Sequence, residues 1–235
     1  MTGPADFIRA HTVPGRAPLV PELLLYLATE ITPLWQATED WLAARDLAPP
    51  FWAFAWPGGQ ALARHVLDHP ALVAGRRVLD FAAGGGIAAI ACARAGAARV
   101  EAAEIDPLAL AAIGLNAALN GVTVHAAQGD VIDGDVIEGD VLAGTGRWDL
   151  ILCGDVCYEA PMTARILPWL RARARAATVL LADPGRAYLP GTGLAALARY
   201  AVPTTRELED REEREVTLYR LEPDASGQAA SASPA

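Results

Sequence analysis

The chain has 235 residues, of which 53% are hydrophobic and 20% charged, and its formal net charge is −9 at pH 7. This length predicts one α/β domain with a buried core, and the acidic balance argues against a nucleic acid partner, because neutralising phosphates requires a basic surface. No apolar run is long enough to span a membrane and the N-terminus has no apolar signal-peptide core, so we predict a cytoplasmic protein.

The first part of the chain is predicted to be helical. Residues 18–47 have helical apolar spacing, and Pro33 divides them into two helices that can cover a sheet. An aromatic cluster follows at residues 51–56, and a further helical run extends to about His69. We therefore expect an N-terminal helical extension packed on the main domain.

From residue 77 the chain alternates between strands and helices, which indicates a doubly wound, mostly parallel, Rossmann-like sheet. The predicted strands are 77–82, 99–105, 122–127, 148–153 and 177–182, and the predicted helices lie near 86–95, 107–120, 161–176 and 192–200. Residues 214–222 alternate in polarity and predict an antiparallel edge strand. The segment 129–146, which repeats Gly-Asp-Val, is interpreted as a solvated acidic connection.

A glycine turn between the first predicted strand and helix is the most informative local feature. Gly84, Gly85 and Gly86 remove every Cβ from this turn, so a ligand can approach the backbone and the N–H groups that start the helix. Glu104, at the end of the second strand, falls where a carboxylate can bind both hydroxyls of a ribose. The stretch therefore predicts a site for an adenosine-bearing cofactor.

Two cofactors fit this turn. Gly84, Gly86 and Ala89 satisfy the dinucleotide spacing G-x-G-x-x-[GA], so a nicotinamide dinucleotide is one alternative. Asp80, near the carboxyl end of the first strand, favours S-adenosylmethionine (AdoMet) instead. Its carboxylate would repel a diphosphate and would attract the ammonium and sulfonium groups of AdoMet.

Further acidic residues follow later strands, where open α/β sheets collect ligand contacts. Asp130 is predicted to accept a hydrogen bond from an adenine amino group. Asp155 and Tyr158 are interpreted as a clamp for a substrate amine, in which Asp155 orients the amine and Tyr158 forms a channel wall. The alternative is a turn aspartate beside a packed tyrosine.

Neither a metal site nor a disulfide is predicted. The three cysteines contain no C-x-x-C pair and are predicted to be small buried apolar residues: Cys92, Cys153 and Cys157. His65 and His69 lie four residues apart, but no third ligand accompanies them at a recognisable spacing.

Taken together, these residues resemble the seven-strand, class I AdoMet-dependent methyltransferases. The segments PFWAFAWPGGQALARHVLD (50–68), VLDFAAGGG (78–86), AEIDPLALAAIGLNAALNG (103–121) and GDVCYE (154–159) are similar to the electron-transfer flavoprotein β-subunit lysine methyltransferase family. The resemblance implies that Trp56 and Gly59 line the cofactor pocket and that Asp155 and Tyr158 form an acid-x-x-aromatic substrate motif. Ala82 stands where a glycine often opens the turn, and its methyl group is compatible with an extended backbone.

By this resemblance the chain is expected to be a protein-lysine methyltransferase acting on the electron-transfer flavoprotein β subunit. A ribosomal protein such as L7/L12 or L11 is the second expected target. Small-molecule N-methylation and a noncatalytic AdoMet-binding module are the other hypotheses. The expected domains are a helical, cofactor-covering extension over 1–70, the AdoMet-binding methyltransferase domain over 71–222 and a disordered tail over 223–235.

Overall fold

The computed structural model describes residues 3–29, 34, 49–132, 135–138 and 148–223. In chain order the elements are α1 (Pro4–His11), β1 (Val13–Ala17), β2 (Val20–Leu27), α2 (Pro57–Asp68), β3 (Arg77–Phe81), α3 (Ile87–Arg94), β4 (Arg99–Glu104), α4 (Pro107–Leu119), β5 (His125–Asp130), β6 (Asp135–Glu138), β7 (Leu150–Gly154), α5 (Ala160–Arg173), β8 (Thr178–Asp183), β9 (Leu194–Pro203), α6 (Arg206–Glu209) and β10 (Glu213–Leu221). Short 3₁₀ turns lie at Phe51–Ala53 and Pro70–Leu72. In this part of the chain no helix is both long and apolar enough to cross a membrane.

The main sheet runs in the order β6-β5-β4-β3-β7-β8-β10-β9. Strands β5, β4, β3, β7 and β8 pair in parallel, whereas β10 is antiparallel to both β8 and β9. The short β6 adds to the β5 edge in antiparallel orientation. The predicted doubly wound, mostly parallel seven-strand sheet is therefore confirmed, with β6 as an additional edge strand.

The central strands are buried on both faces, and their side chains alternate between two apolar layers. Leu150 and Leu152 of β7 pack into the layer beneath α2 and α3, whereas Ile151 packs on the opposite face with Leu170 of α5. This alternation follows from the period of two in a strand, and helices covering both faces are what a mostly parallel sheet requires.

Helix α4 begins where the sequence predicted. The Asp106 side chain caps it by accepting a hydrogen bond from the Leu108 N–H at 2.8 Å, and Pro107 occupies the first helical position. Because β4 ends directly before this cap, the cap fixes the direction in which the chain leaves the carboxyl end of the sheet.

The prediction of helices over residues 18–47 is wrong where the structure describes this segment. Residues 20–27 form strand β2, which pairs with β1 in an antiparallel hairpin. Leu23 and Leu25 are buried, in the alternating pattern of a strand. Apolar composition favoured a helix, but pairing with β1 and docking on α4 override that propensity. Helix α1 precedes this hairpin. Pro33, which was predicted to divide two helices, lies outside the described residues.

Four other features differ from the sequence prediction. The predicted helix 192–200 is strand β9, because its alanine-rich sequence pairs along its length with β10. Strand β10 is antiparallel as predicted, but it lies between β8 and β9 and is not an edge strand. The third strand is 125–130, three residues later than predicted, and the acidic connection contains β6.

Candidate active site

The glycine turn lies at the carboxyl ends of β3 and β4. Gly84 and Gly86 have φ values of 54° and 79°, a left-handed conformation that glycine adopts without steric cost. Glu104 joins the two strand ends, since its Oε1 accepts a hydrogen bond from the Gly84 N–H at 2.6 Å and its Oε2 accepts one from the Ile105 N–H at 3.1 Å. Burial raises the pKa of this carboxyl. Glu104, the residue predicted to bind the ribose, therefore also holds the glycine turn in place.

Asp80 is buried beneath the same turn, with 3% of its surface exposed. Its Oδ2 accepts a hydrogen bond from the Ala89 N–H in α3 at 2.9 Å. Burial raises the pKa of Asp80 to about 7, although the Ala89 hydrogen bond opposes the shift. A cationic group beside Asp80 would favour its carboxylate form, which is the chemistry expected of a site for AdoMet.

A cavity of about 50 Å³ brings several predicted site residues together. Its lining includes four of them, namely Trp56, Gly59, Asp80 and Gly84. Leu25 and Leu27 of the hairpin, together with Gly154 at the end of β7, also line it. Strand β2, which had been predicted as a helix, therefore forms one wall of the candidate cofactor pocket.

Asn116 of α4 connects that wall to the glycine turn. Its Nδ2 donates to the Gly85 carbonyl at 2.8 Å, and its Oδ1 accepts the Tyr26 N–H at 2.7 Å. One helical turn later, Asn120 accepts from the Leu24 N–H at 3.0 Å. The sequence prediction missed both residues, although their spacing of four places them on one face of the helix.

Asp155 is buried directly after β7. It has a φ of 56° and is 8% exposed. Its Oδ2 accepts the N–H of Gly58 in the first turn of α2, and its Oδ1 accepts from Arg186 Nη2 at 2.7 Å and Nε at 3.1 Å. Burial raises the pKa of Asp155 to about 6, whereas Arg186 acts to lower it. Arg186, in the loop after β8, was not predicted.

Tyr158 belongs to an exposed aromatic wall beside Asp155. Tyr158 is 39% exposed, and its ring centroid lies 5.8 Å from that of Phe51. The Phe51 and Trp56 rings are 5.9 Å apart, and Trp56 Nε1 donates to the Phe51 carbonyl at 2.8 Å. Because Trp56 lines the cavity, this wall extends from the cavity to the protein surface.

Asp130 lies at the carboxyl end of β5 and is not among the residues that line the cavity. Its carboxylate forms an ion pair with Arg165 and accepts the Ile132 N–H at 2.9 Å. Its contact with an adenine amino group stays a prediction.

The Ala82 methyl group is compatible with an extended backbone, and this condition is not met, because the φ of Ala82 is 52°, which is left-handed. A left-handed conformation costs a non-glycine residue about 1–2 kcal/mol.

We expect Ala82→Gly to raise the free energy of unfolding by about 0.5–1 kcal/mol, because glycine removes this cost but adds entropy to the unfolded chain. Urea denaturation measures the change. Ala83→Gly is the matched control, since Ala83 is not among the left-handed residues and its replacement is expected to destabilise the protein. Equal losses in both variants would contradict the expectation.

This chain is similar to known methyltransferases in sequence and in fold. The family model for ribosomal protein L11 methyltransferase (PrmA) matches residues 61–153. The electron transfer flavoprotein beta subunit lysine methyltransferase of Xenopus laevis is 38% identical over 229 residues, covering 94% of this chain and 88% of that protein. The Homo sapiens protein of the same name is 36% identical and covers 79% and 68%, respectively. A candidate RNA methyltransferase from Pyrococcus horikoshii shares the fold, with a TM-score of 0.51 and 15% identity over 77% of this chain and 90% of its own.

Proposed function

Because this chain belongs to the electron transfer flavoprotein beta subunit lysine methyltransferase family, we propose that it methylates a lysine of the electron transfer flavoprotein β subunit, using AdoMet. The observation that carries the proposal is a cavity at the carboxyl ends of neighbouring strands. Asp80 of β3, Gly84 of the glycine turn and Gly154 of β7 line it, and Asp155 follows Gly154 directly, although Asp155 itself is not among the lining residues. This arrangement supports a cofactor site with a substrate site beside it.

The residues around the glycine turn fit AdoMet. Two carboxylates, Asp80 and Glu104, stand beside the turn, and burial raises the pKa of both, so each would gain from a hydrogen-bond donor or a cationic ligand. Trp56 and Gly59, which line the cavity, and Asp130 complete the residues that we assign to the cofactor. When bound, AdoMet supplies an electrophilic methyl group carried by a sulfonium.

Asp155 and Tyr158 are the residues that we assign to the substrate amine. A carboxylate offers about four acceptor positions, and the three donors on Asp155 leave room for an amine. Methyl transfer needs a neutral amine held in line, and an unperturbed lysine has a pKa of about 10.4, so turnover is expected to rise toward alkaline pH. The aromatic wall ending at Tyr158 would exclude water from the amine.

The alternative targets have weaker support. The match to the ribosomal protein methyltransferase model covers 61–153, which holds the glycine turn and β4 but ends before Asp155. The flavoprotein methyltransferase of Xenopus laevis matches over 94% of the chain. Ribosomal proteins L11 and L7/L12 and small amines are therefore comparison substrates.

The proposal is tested by incubating the purified protein with methyl-labelled AdoMet and the purified electron transfer flavoprotein β subunit. Mass spectrometry should locate methyl groups on lysine side chains of that subunit. Labelling of L11, L7/L12 or a free amine in its place would overturn the target, and the absence of transfer to every substrate would overturn the activity.

Calorimetry with AdoMet and with NAD tests the cofactor assignment. We expect binding of AdoMet only, and we expect Glu104→Ala to weaken it by about 1.5–3 kcal/mol, the range for a lost hydrogen bond to a charged group. Glu213→Ala, on the exposed part of β10, is the control and should bind AdoMet normally. Tight binding of NAD together with no binding of AdoMet would contradict the cofactor assignment. Normal AdoMet binding by Glu104→Ala would show that Glu104 does not bind the ribose.

A further inference from the structure

We propose that Arg186 is a positioning residue of the methyl-transfer site, holding the Asp155 carboxylate against the start of α2 and supporting the Trp56 ring. The inference rests on the proposed function and adds a residue outside both the glycine turn and the acid-x-x-aromatic motif. It predicts that Arg186 acts on turnover through Asp155, without contacting AdoMet or the substrate.

Arg186 joins two buried acids from different parts of the chain. Its Nη2 and Nε donate to Asp155, and its Nη1 and Nη2 donate to Glu209 of α6 at 3.1 and 2.5 Å. Glu209 in turn accepts from Arg214 Nε in β10 at 3.0 Å. The Glu209 side chain is 1% exposed and the Arg186 side chain 18%. The guanidinium is therefore fixed on two sides by carboxylates that solvent screens weakly.

The Asp155 carboxylate is a junction between three segments. It follows β7, receives the Gly58 N–H from α2, and receives Arg186 from the loop after β8. The backbone of Asp155 is left-handed, a conformation that a non-glycine residue keeps only when its surroundings determine it. Two side-chain contacts and the hydrogen bond from the Asp155 N–H to the Ala182 carbonyl at 3.0 Å hold this conformation, and losing Arg186 would remove one of the side-chain contacts.

The same guanidinium also reaches the aromatic wall. Arg186 Cζ lies 5.9 Å from the centroid of the Trp56 ring, within the range of a cation–π contact. Trp56 contacts Phe51, which contacts Tyr158. One cation thus supports both the acid at position 155 and, through two rings, the aromatic residue at position 158.

The charge around Asp155 depends on Arg186. The nearby acids are Asp183 and Glu209; Arg186 pairs with Asp155 and with Glu209, and Arg214 pairs with Glu209. Asp183 Oδ1 accepts the N–H groups of residues 185 and 186, while its buried Oδ2 has no hydrogen-bond partner among the described residues. Without Arg186, Glu209 would keep its ion pair with Arg214, whereas Asp155 would lose its arginine and would still face Asp183.

The pKa of Asp155 distinguishes a positioning role of Arg186 from a merely structural one, because a structural role would not change this pKa. Burial raises the pKa of Asp155 to about 6, Arg186 lowers it and Asp183 raises it further. From the other elements packed on this carboxyl, Gly58 contributes an uncharged N–H, and the nearby Cys157 thiol has its own pKa raised to about 12. Removing Arg186 therefore moves the pKa of Asp155 upward, so that more of it is protonated at neutral pH.

The decisive variant is Arg186→Met, which keeps the aliphatic length and removes the charge. We expect its AdoMet dissociation constant to stay within about threefold of wild type while kcat at neutral pH falls about tenfold to a hundredfold. The deficit relative to wild type should shrink between about pH 7 and about pH 9, because Asp155 ionises again. Carboxyl carbon-13 shifts followed by NMR should show the upward change in the Asp155 titration directly.

Two further variants complete the design. Arg186→Lys restores the charge and should return the shape of the pH profile to that of wild type, although one ammonium cannot replace a fork of donors on two acids. Arg99→Met is the matched control, because Arg99 Nε also pairs with a buried acid, Glu101, at 2.6 Å. This pair lies at the amino end of β4, whereas the candidate site lies at the carboxyl ends of the strands. The control variant should leave both the pH profile and kcat unchanged, whatever it does to stability.

The proposal is overturned if the Arg186→Met deficit is the same at every pH, if AdoMet affinity falls as far as turnover, or if Arg186→Lys behaves like Arg186→Met. An unshifted Asp155 titration would overturn it as well. The NMR titration needs no methyl transfer, so a wild-type protein without transferase activity would overturn the proposed function while the effect of Arg186 on Asp155 was still measured.

Discussion

Replacing Asp155 with alanine is expected to lower methyl transfer by about a hundredfold or more, with AdoMet affinity within a few fold of wild type. The reason is that the side chain faces the loop after β8 and the start of α2, while the glycine turn is held by other carboxylates. Steady-state turnover on one protein substrate and calorimetry with AdoMet measure the two quantities. Equal losses of turnover and of AdoMet affinity would indicate that Asp155 belongs to the cofactor site.

The Asp155→Asn variant removes the charge and keeps the size of the side chain. Asparagine tolerates a left-handed backbone and its one oxygen can accept the Gly58 N–H, so we expect folding to survive, although the amide nitrogen then faces the donors of Arg186. Because the amide carries no charge, turnover should still fall nearly as far as in the alanine variant. If Asp155→Asn kept normal turnover, the residue would be a turn aspartate without a role in the reaction.

Replacing Gly58 with alanine is expected to cause the largest loss of stability, because the start of α2 touches the strand ends without space for a side chain. A Cβ at this position would lie 2.5 Å from Asp155 Oδ2 and 2.6 Å from the Ala182 carbonyl oxygen. Overpacking of this kind costs about 1–3 kcal/mol, and a rigid backbone carbonyl on one side points to the upper end. Turnover should fall as well, since the added methyl group displaces the Asp155 carboxylate.

Gly114→Ala provides the comparison. Gly114 lies in α4, and a Cβ there would meet nothing within 4 Å. Because glycine in a helix interior is less favourable than alanine by about 1 kcal/mol, this variant should be more stable than wild type. Thermal or urea unfolding should show stability changes of opposite sign for the two variants, and a Gly58→Ala protein as stable as wild type would refute the close packing.

The cofactor half of the site could be predicted because its signals are local. The glycine turn, Asp80 and Glu104 lie within one strand-helix-strand unit, and the order of strands brings them together. Asp155 is placed after the neighbouring strand by the same logic. Their placement was therefore readable from the sequence, whereas their contacts with ligands stay predictions.

The remaining features depend on contacts that the sequence pattern does not show. Strand β2 pairs with the neighbouring strand β1, and Asn116, 90 residues later, accepts the Tyr26 N–H, although the segment itself has a helix-like composition. Strand β9 likewise depends on pairing with β10. Arg186 contacts acids 31 residues before it and 23 residues after it, so no spacing rule in a single sequence connects them. Local propensity cannot predict elements whose partners are set by the assembled fold.

If Asp80 has the cofactor role that we propose, protons and cofactor compete at its buried carboxyl. Because its pKa is raised to about 7, the folded protein holds a proton there at pH values where the unfolded chain has lost it, so stability falls as the pH rises toward 7. On this assignment a cationic cofactor would favour the carboxylate, and its binding would release that proton. We therefore expect the apparent affinity for AdoMet to increase through the same pH range and to level off above it, so that the fraction of protein loaded with cofactor depends on pH as well as on cofactor concentration.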